Sequence, residues 1–257
     1  HAATLWTSTF NCNDWTESSS TWYSINCDSL SGAGFDFCSD STGTHPTQIT
    51  SLANNSGGGG GKGLRTLNGD GKDNSSGSLR VSFASRQTEL WISWGMRYEA
   101  GFQWSPGLYY DKWLYFDVGD TCAVVPEWYS SDQVNVWTAC GQNYSSASGN
   151  GWNSIMGGSA SDGKYHTFKL HMKMDTNGSN GIIEMWVDGM KRISATNVNF
   201  GGGAGKTGWG WFNISSNQNS VGNNNTCMAV DFDDFVVSTT DTSDSLAPSN
   251  PPYVSVN

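Results

Sequence analysis

The run Gly181–Asp188 (GIIEMWVD) changes side with every residue: Ile183, Met185 and Val187 fall on one parity, Ile182, Glu184 and Trp186 on the other. A strand sends successive side chains to opposite faces, so a period of two is the signature of a half-buried β-strand. The same pattern runs through Thr4–Phe10, Ser78–Ala84, Glu89–Glu99, Trp113–Val118, Tyr165–Met174, Gly208–Ile214 and Ala229–Ser238. No stretch keeps a helical period, and no internal repeat is visible. Breaker clusters separate the strands. Asn54–Gly63 (NNSGGGGGKG) reads as a tight or ligand-approaching loop, and Asn68–Gly77 and Thr176–Gly181 read as hairpin turns. The chain is therefore expected to be all-β, an antiparallel β-sandwich.

At 257 residues one sandwich domain over residues 1–245 is expected, followed by a Pro-rich tail, 246–257 (LAPSNPPYVSVN), whose last residues alternate like a short strand. There are 13 Trp, 9 Tyr and 11 Phe, enough large side chains to fill a sandwich core. The net charge of −10 argues against nucleic acid, whose phosphates would be repelled. No apolar run is long enough to span a bilayer.

Six cysteines with no CxxC pair fit an oxidising compartment better than zinc. If the first and last strands pair, Cys12 meets Cys227, leaving Cys27 with Cys38 and Cys122 with Cys140. Six sequons begin at Asn54, Asn74, Asn143, Asn177, Asn213 and Asn224. Together these features point to a secreted, extracellular glycoprotein. The start carries no basic-apolar leader, so the chain reads as a mature soluble product.

Parity also separates a polar face from a core face. Thr167, Lys169, His171, Lys173 and Asp175 oppose His166, Phe168, Leu170, Met172 and Met174, while Trp91, Ser93, Arg97 and Glu99 oppose Ile92, Trp94, Met96 and Tyr98. Basic groups and tryptophans thus share a few polar strand faces. That mixture suits a sugar polymer, whose ring faces stack on aromatics while its hydroxyls and carboxylates take hydrogen bonds. The glycan-binding set on this reading is Lys169, Glu184, Trp186, Trp91 and Lys112.

The segments ELWISWGMRYEAGF (89–102), DKWLYF (111–116), DGKYHTFKLHMKMD (162–175), NGIIEMWVDGM (180–190) and VDFDDFVVS (230–238) resemble a secreted polysaccharide-lyase-like group. Its members, glucuronan lyases and heparin lyase I among them, share the concanavalin A-like jelly roll. The resemblance implies that fold and β-elimination at a uronate: neutralising a carboxylate, removing the proton beside it and protonating the leaving oxygen. Arg97 and Lys173 are the candidates for neutralisation, and His171 with Tyr98 or Tyr109 for base and acid. The Gln-x-His and Tyr-x-Lys-x-Tyr motifs of some such lyases are missing.

Other readings stay open. The carboxylates of DFDDF, Asp231, Asp233 and Asp234, either finish a strand or hold calcium. His1 raises a copper brace with His45, His166 or His171, although one ligand type does not specify a site and copper is not expected. A non-catalytic lectin, or a subunit that self-associates through its C-terminal tail, is the alternative to a lyase.

Overall fold

A computed structural model describes residues 4–10, 16–17, 25–26, 29–30, 39–40, 43–44, 47–57, 61–68, 74–102, 110–117, 122–129, 133–138, 142–145, 162–200, 207–219 and 228–242. The alternating segments form two antiparallel sheets. The larger runs Met190–Val198, Gly181–Val187, His166–Lys173, Glu89–Tyr98, Met228–Ser238, Thr4–Ser8 and Thr16–Glu17, with Gly63–Asn68 also on Met228–Ser238 and Thr47–Thr50 beyond it. The smaller runs Gln142–Ser145, Gln133–Thr138, Val124–Tyr129, Tyr110–Phe116, Trp209–Asn219 and Asn74–Gln87. This is the expected jelly-roll sandwich.

The first and last strands do pair, Thr4 opposite Ser238 and Ser8 opposite Phe235. Cys122, the cysteine among the described residues, is disulfide-bonded. Cys12, Cys27, Cys38, Cys140 and Cys227 lie outside them, as do His1, His45, Tyr109, Asn224 and the tail beyond Thr242.

The core faces of the sheets meet through aromatic rings. Trp113 of the smaller sheet stands edge-on to Phe168 of the larger at 5.2 Å, and Phe168 stacks on Trp94 at 5.4 Å. Phe212 gathers Trp6 at 5.9 Å, Phe116 at 5.3 Å and Phe235 at 6.5 Å. Each such fully buried ring contributes about 1.5–3 kcal/mol of transfer free energy, the main force closing the sandwich.

Two expectations need correction. Asn68–Gly77 is not a hairpin: Gly63–Asn68 belongs to the larger sheet and Asn74–Gln87 to the smaller, so the chain crosses between layers there. Several strands also escaped the alternation rule. Val124–Tyr129 (VVPEWY) is buried throughout its described side chains and carries Pro126, which the ladder tolerates because pairing with Tyr110–Phe116 slips beside it.

A second irregularity explains DFDDF. Val230 and Phe232 point into the core, and so do Phe235 and Val237, an odd step that alternation forbids. The register with Glu89–Tyr98 shifts between Ser93 and Gly95, and Asp234 takes up the extra residue with φ 52°. Aspartate tolerates that left-handed conformation better than most side chains.

Candidate functional site

The polar face expected from parity exists on the outer side of the larger sheet. Cross-strand register lines up Trp91, His171 and Glu184 in one row, and Ser93, Lys169 and Trp186 in the next. His171 is nearly buried and stacks flat on Trp91, 3.8 Å between centroids and 11° between planes. Its Nδ1 lies 2.9 Å from Glu184 and its Nε2 3.0 Å from Glu89. Lys191 reaches Glu184 at 2.5 Å, Lys173 reaches Glu89 at 3.1 Å and Lys169 reaches Asp241 at 3.3 Å. Burial works against ionisation of Glu89 and Glu184, but the hydrogen bonds from His171 and the lysines outweigh it and hold both carboxyls below their ordinary range. Lys169 also sits 4.4 Å from the Trp186 ring centre and 5.3 Å from that of Trp91.

The structure therefore brings together Trp91, Lys169, His171, Lys173, Glu184 and Trp186. It does not bring Arg97 or Tyr98 to them. Arg97 lies farther along its strand, where its Nε donates to Asp231 at 2.8 Å and its guanidinium also binds the Leu52 carbonyl. Arg65 holds the other oxygen of Asp231 at 2.8 Å. Tyr98 points into the core, where its hydroxyl donates to Asp111 and accepts from Trp113 Nε1 at 2.8 Å. Base, acid and carboxylate clamp thus do not converge on this face.

Nor do the three DFDDF carboxylates converge on one point. Asp231 is taken by two arginines; Asp233 accepts from the Asn55 backbone at 2.9 Å and Asp234 from the Asn55 amide at 2.7 Å. Together with Tyr165, which donates to the Ala53 carbonyl at 2.5 Å, they fasten segment 51–57 across the sheet. Among the described residues no group of three or more His, Cys, Asp or Glu is placed to hold a metal.

A second polar face, which alternation did not reveal, lies on the outer side of the smaller sheet. Val124, Trp128, Val134 and Val136 belong to the core, so Glu127 and Asn135 point away from it. They are register partners, and Lys112 is the partner of Glu127 on its other side. Lys112 is the member of the expected glycan-binding set that falls here. The slip between Lys112 and Phe116 sends both Trp113 and Leu114 inward, which returns Tyr115 to the same outer face as Lys112. Tyr115 is paired with Asn213, and Asn213 with Arg80. Arg80 stacks over the Trp211 ring at 3.5 Å, and Trp137, paired with Val125, is 38% exposed at the margin.

Glu127 is only 4% exposed although it faces away from the core. Burial pushes its carboxyl up to about 7, against the pull of Lys112 and the Asn135 hydrogen bond, with Asp111 adding to the rise. The groups that act on this carboxyl are Lys112 and Asn135, its register partners on either side, and Asp111.

The sequons fall in unlike surroundings. Asn177 is exposed at the tip of the hairpin, its Oδ1 accepting from the Ser179 backbone at 3.0 Å and hydroxyl at 3.2 Å. Asn213 sits in mid-strand with a buried Oδ1, and Asn54 ends the short turn Ser51–Ala53 with its Oδ1 also buried. Asn74 opens one strand and Asn143 lies within another.

No family model and no curated protein matches the sequence. Solved structures do share its architecture. A carbohydrate esterase of a Shiga toxin-encoding bacteriophage aligns with TM-score 0.50 at 14% identity, over 94% of this chain and 100% of that one. An alginate lyase bound to an alginate tetrasaccharide aligns at 0.48 and 12%, over 68% and 80%. The carbohydrate recognition domain of Emp47p aligns at 0.48 and 10%, over 93% and 97%. The likeness is one of fold. At 14% identity the esterase alignment speaks for the sandwich architecture alone.

Proposed function

We propose that this chain is an extracellular polysaccharide-binding protein that cleaves uronate-containing glycans by β-elimination on the outer face of the smaller sheet. One observation carries the reading: Glu127, shielded on a face turned away from the core, is held near neutrality with Lys112 and Asn135 on either side. Arg80 and Lys112 supply positive charge for a uronate carboxylate in a protein of net charge −10. Glu127, ionising as the pH passes about 7, takes the proton beside that carboxylate, and the Tyr115 hydroxyl, shielded from solvent as Glu127 is, is assigned the protonation of the departing glycosidic oxygen as the double bond forms. The disulfide at Cys122 suits the oxidising compartment in which such glycans occur.

The face on the larger sheet suits this chemistry less. His171 would have to leave a carboxylate to accept a substrate proton, Arg97 would have to leave Asp231, and Tyr98 lies on the opposite side of its strand. The test is release of ultraviolet-absorbing unsaturated uronate from glucuronan, alginate and heparinoid. Glu127→Gln and Tyr115→Phe should each abolish it while leaving the fold intact by near-ultraviolet circular dichroism.

A further inference from the structure

The outer face of the larger sheet has a chemistry of its own. Its exposed groups come in balanced pairs: Lys169 with Asp241, Lys173 with Glu89 and Lys191 with Glu184. A face that neutralises itself in this way gives an anionic polymer no net attraction, but it offers both donors and acceptors to hydroxyl groups. Between the pairs lie two indoles, Trp91 and Trp186, with ring centres 5.9 Å apart and planes inclined by 31°. His171 covers one face of Trp91, and the ring as a whole is half-buried. Lys169 touches both rings and Lys191 lies 4.8 Å from Trp186, which limits the rotamers open to the aromatic pair before any ligand arrives.

We infer that this face is a second glycan site, a platform that holds a neutral polysaccharide without cutting it. Pyranose rings with equatorial hydroxyls present flat apolar faces that fit the two indoles, and the surrounding lysines and carboxylates take the hydroxyls. The face binds without cleaving because both nitrogens of His171, its one imidazole among the described side chains, are held by Glu89 and Glu184. The protein then has two sides with separate tasks: one sheet anchors on uncharged glycan, and the other acts on an acidic chain. This inference does not depend on the lyase reading.

Affinity electrophoresis in xylan and mixed-linkage β-glucan, with a pull-down on microcrystalline cellulose, tests it on the full chain. Retardation or retention by at least one of these is expected. Trp91→Ala and Trp186→Ala should each weaken it at least about tenfold, and Trp186→Phe should restore most of it, with near-ultraviolet circular dichroism confirming the fold of each variant. Glu127→Gln should leave it unchanged, which separates this site from the one on the smaller sheet. Three results would overturn the inference: no retention by any neutral glycan, retention indifferent to both alanine variants, or retention that appears only when residues 243–257 are removed. The last would assign the face to the chain's own tail.

Discussion

Lys112 and Glu127 stand opposite each other on neighbouring strands of the smaller sheet, and burial leaves the carboxyl titrating near neutrality even with the ammonium beside it. A carboxyl raised from 4.5 to about 7 stabilises the folded state below its unfolded value and loses that contribution as the pH climbs through 7. Glu127→Gln, neutral at every pH, should therefore be more stable than the parent at pH 8 by about 3 kcal/mol, and equal to it near pH 4. Urea melts at the two pH values read this directly. Greater stability with lost activity marks a residue kept for chemistry.

The hairpin joining Gly181–Val187 to Met190–Val198 should respond to pH in the opposite region. Burial alone would lower His166, but the 2.7 Å contact with Asp188, helped by Asp162, raises it above its ordinary value. Asp188 is in turn lowered: burial opposes this, but the bonds from His166 and the Thr167 backbone prevail. The His166 contribution is complete below about 6.5 and fades as the pH rises through its folded value; that of Asp188 is complete above about 4 and fades in acid. Amide exchange at Thr167 should be slowest between those limits, and Asp188→Asn should flatten the profile.

Asp231 is fully buried between Arg65 and Arg97. Asp231→Ala leaves two guanidinium groups facing each other and loosens segment 51–57, at a cost of about 3 kcal/mol. Asp231→Asn should lose less. Because arginines hold both oxygens of Asp231, adding calcium or a chelator should not move Tm; a calcium-dependent rise would restore the DFDDF metal reading.

Asn177 presents its sequon on an exposed tip, whereas Asn213 lies within a strand of the proposed site. Peptide mapping of protein made through a eukaryotic secretory route should find glycan on Asn177 and none on Asn213.

The fold was legible wherever alternation was unbroken. Gly181–Val187 is a strand, covering the alternating run up to its last residue, and the inward set Ile92, Trp94, Met96 and Tyr98 is buried as parity requires. What stayed hidden involves broken alternation. Lys112 and Tyr115, three residues apart, belong to opposite faces on a regular strand, and only the slip beside Pro126 unites them. Glu127 lies in a run without a period of two, and its altered acidity comes from burial, which a sequence does not display. The row Trp91, His171, Glu184 was legible as a face. That both His171 nitrogens would be taken was not, since Glu89 and Glu184 arrive from separate strands.

Initial-rate release of unsaturated uronate from the acidic-glycan panel tests directly for a β-eliminating site on the smaller sheet. The parent and its Glu127→Gln, Tyr115→Phe and His171→Ala variants are compared across pH 5–9. Activity on at least one glycan is expected, with a limb near pH 7. Losses of about a hundredfold or more are expected for the first two variants, in line with removing a proton-transfer group, and His171→Ala should stay close to the parent. Silence on every glycan, or loss with His171→Ala while Glu127→Gln stays active, would contradict a site there.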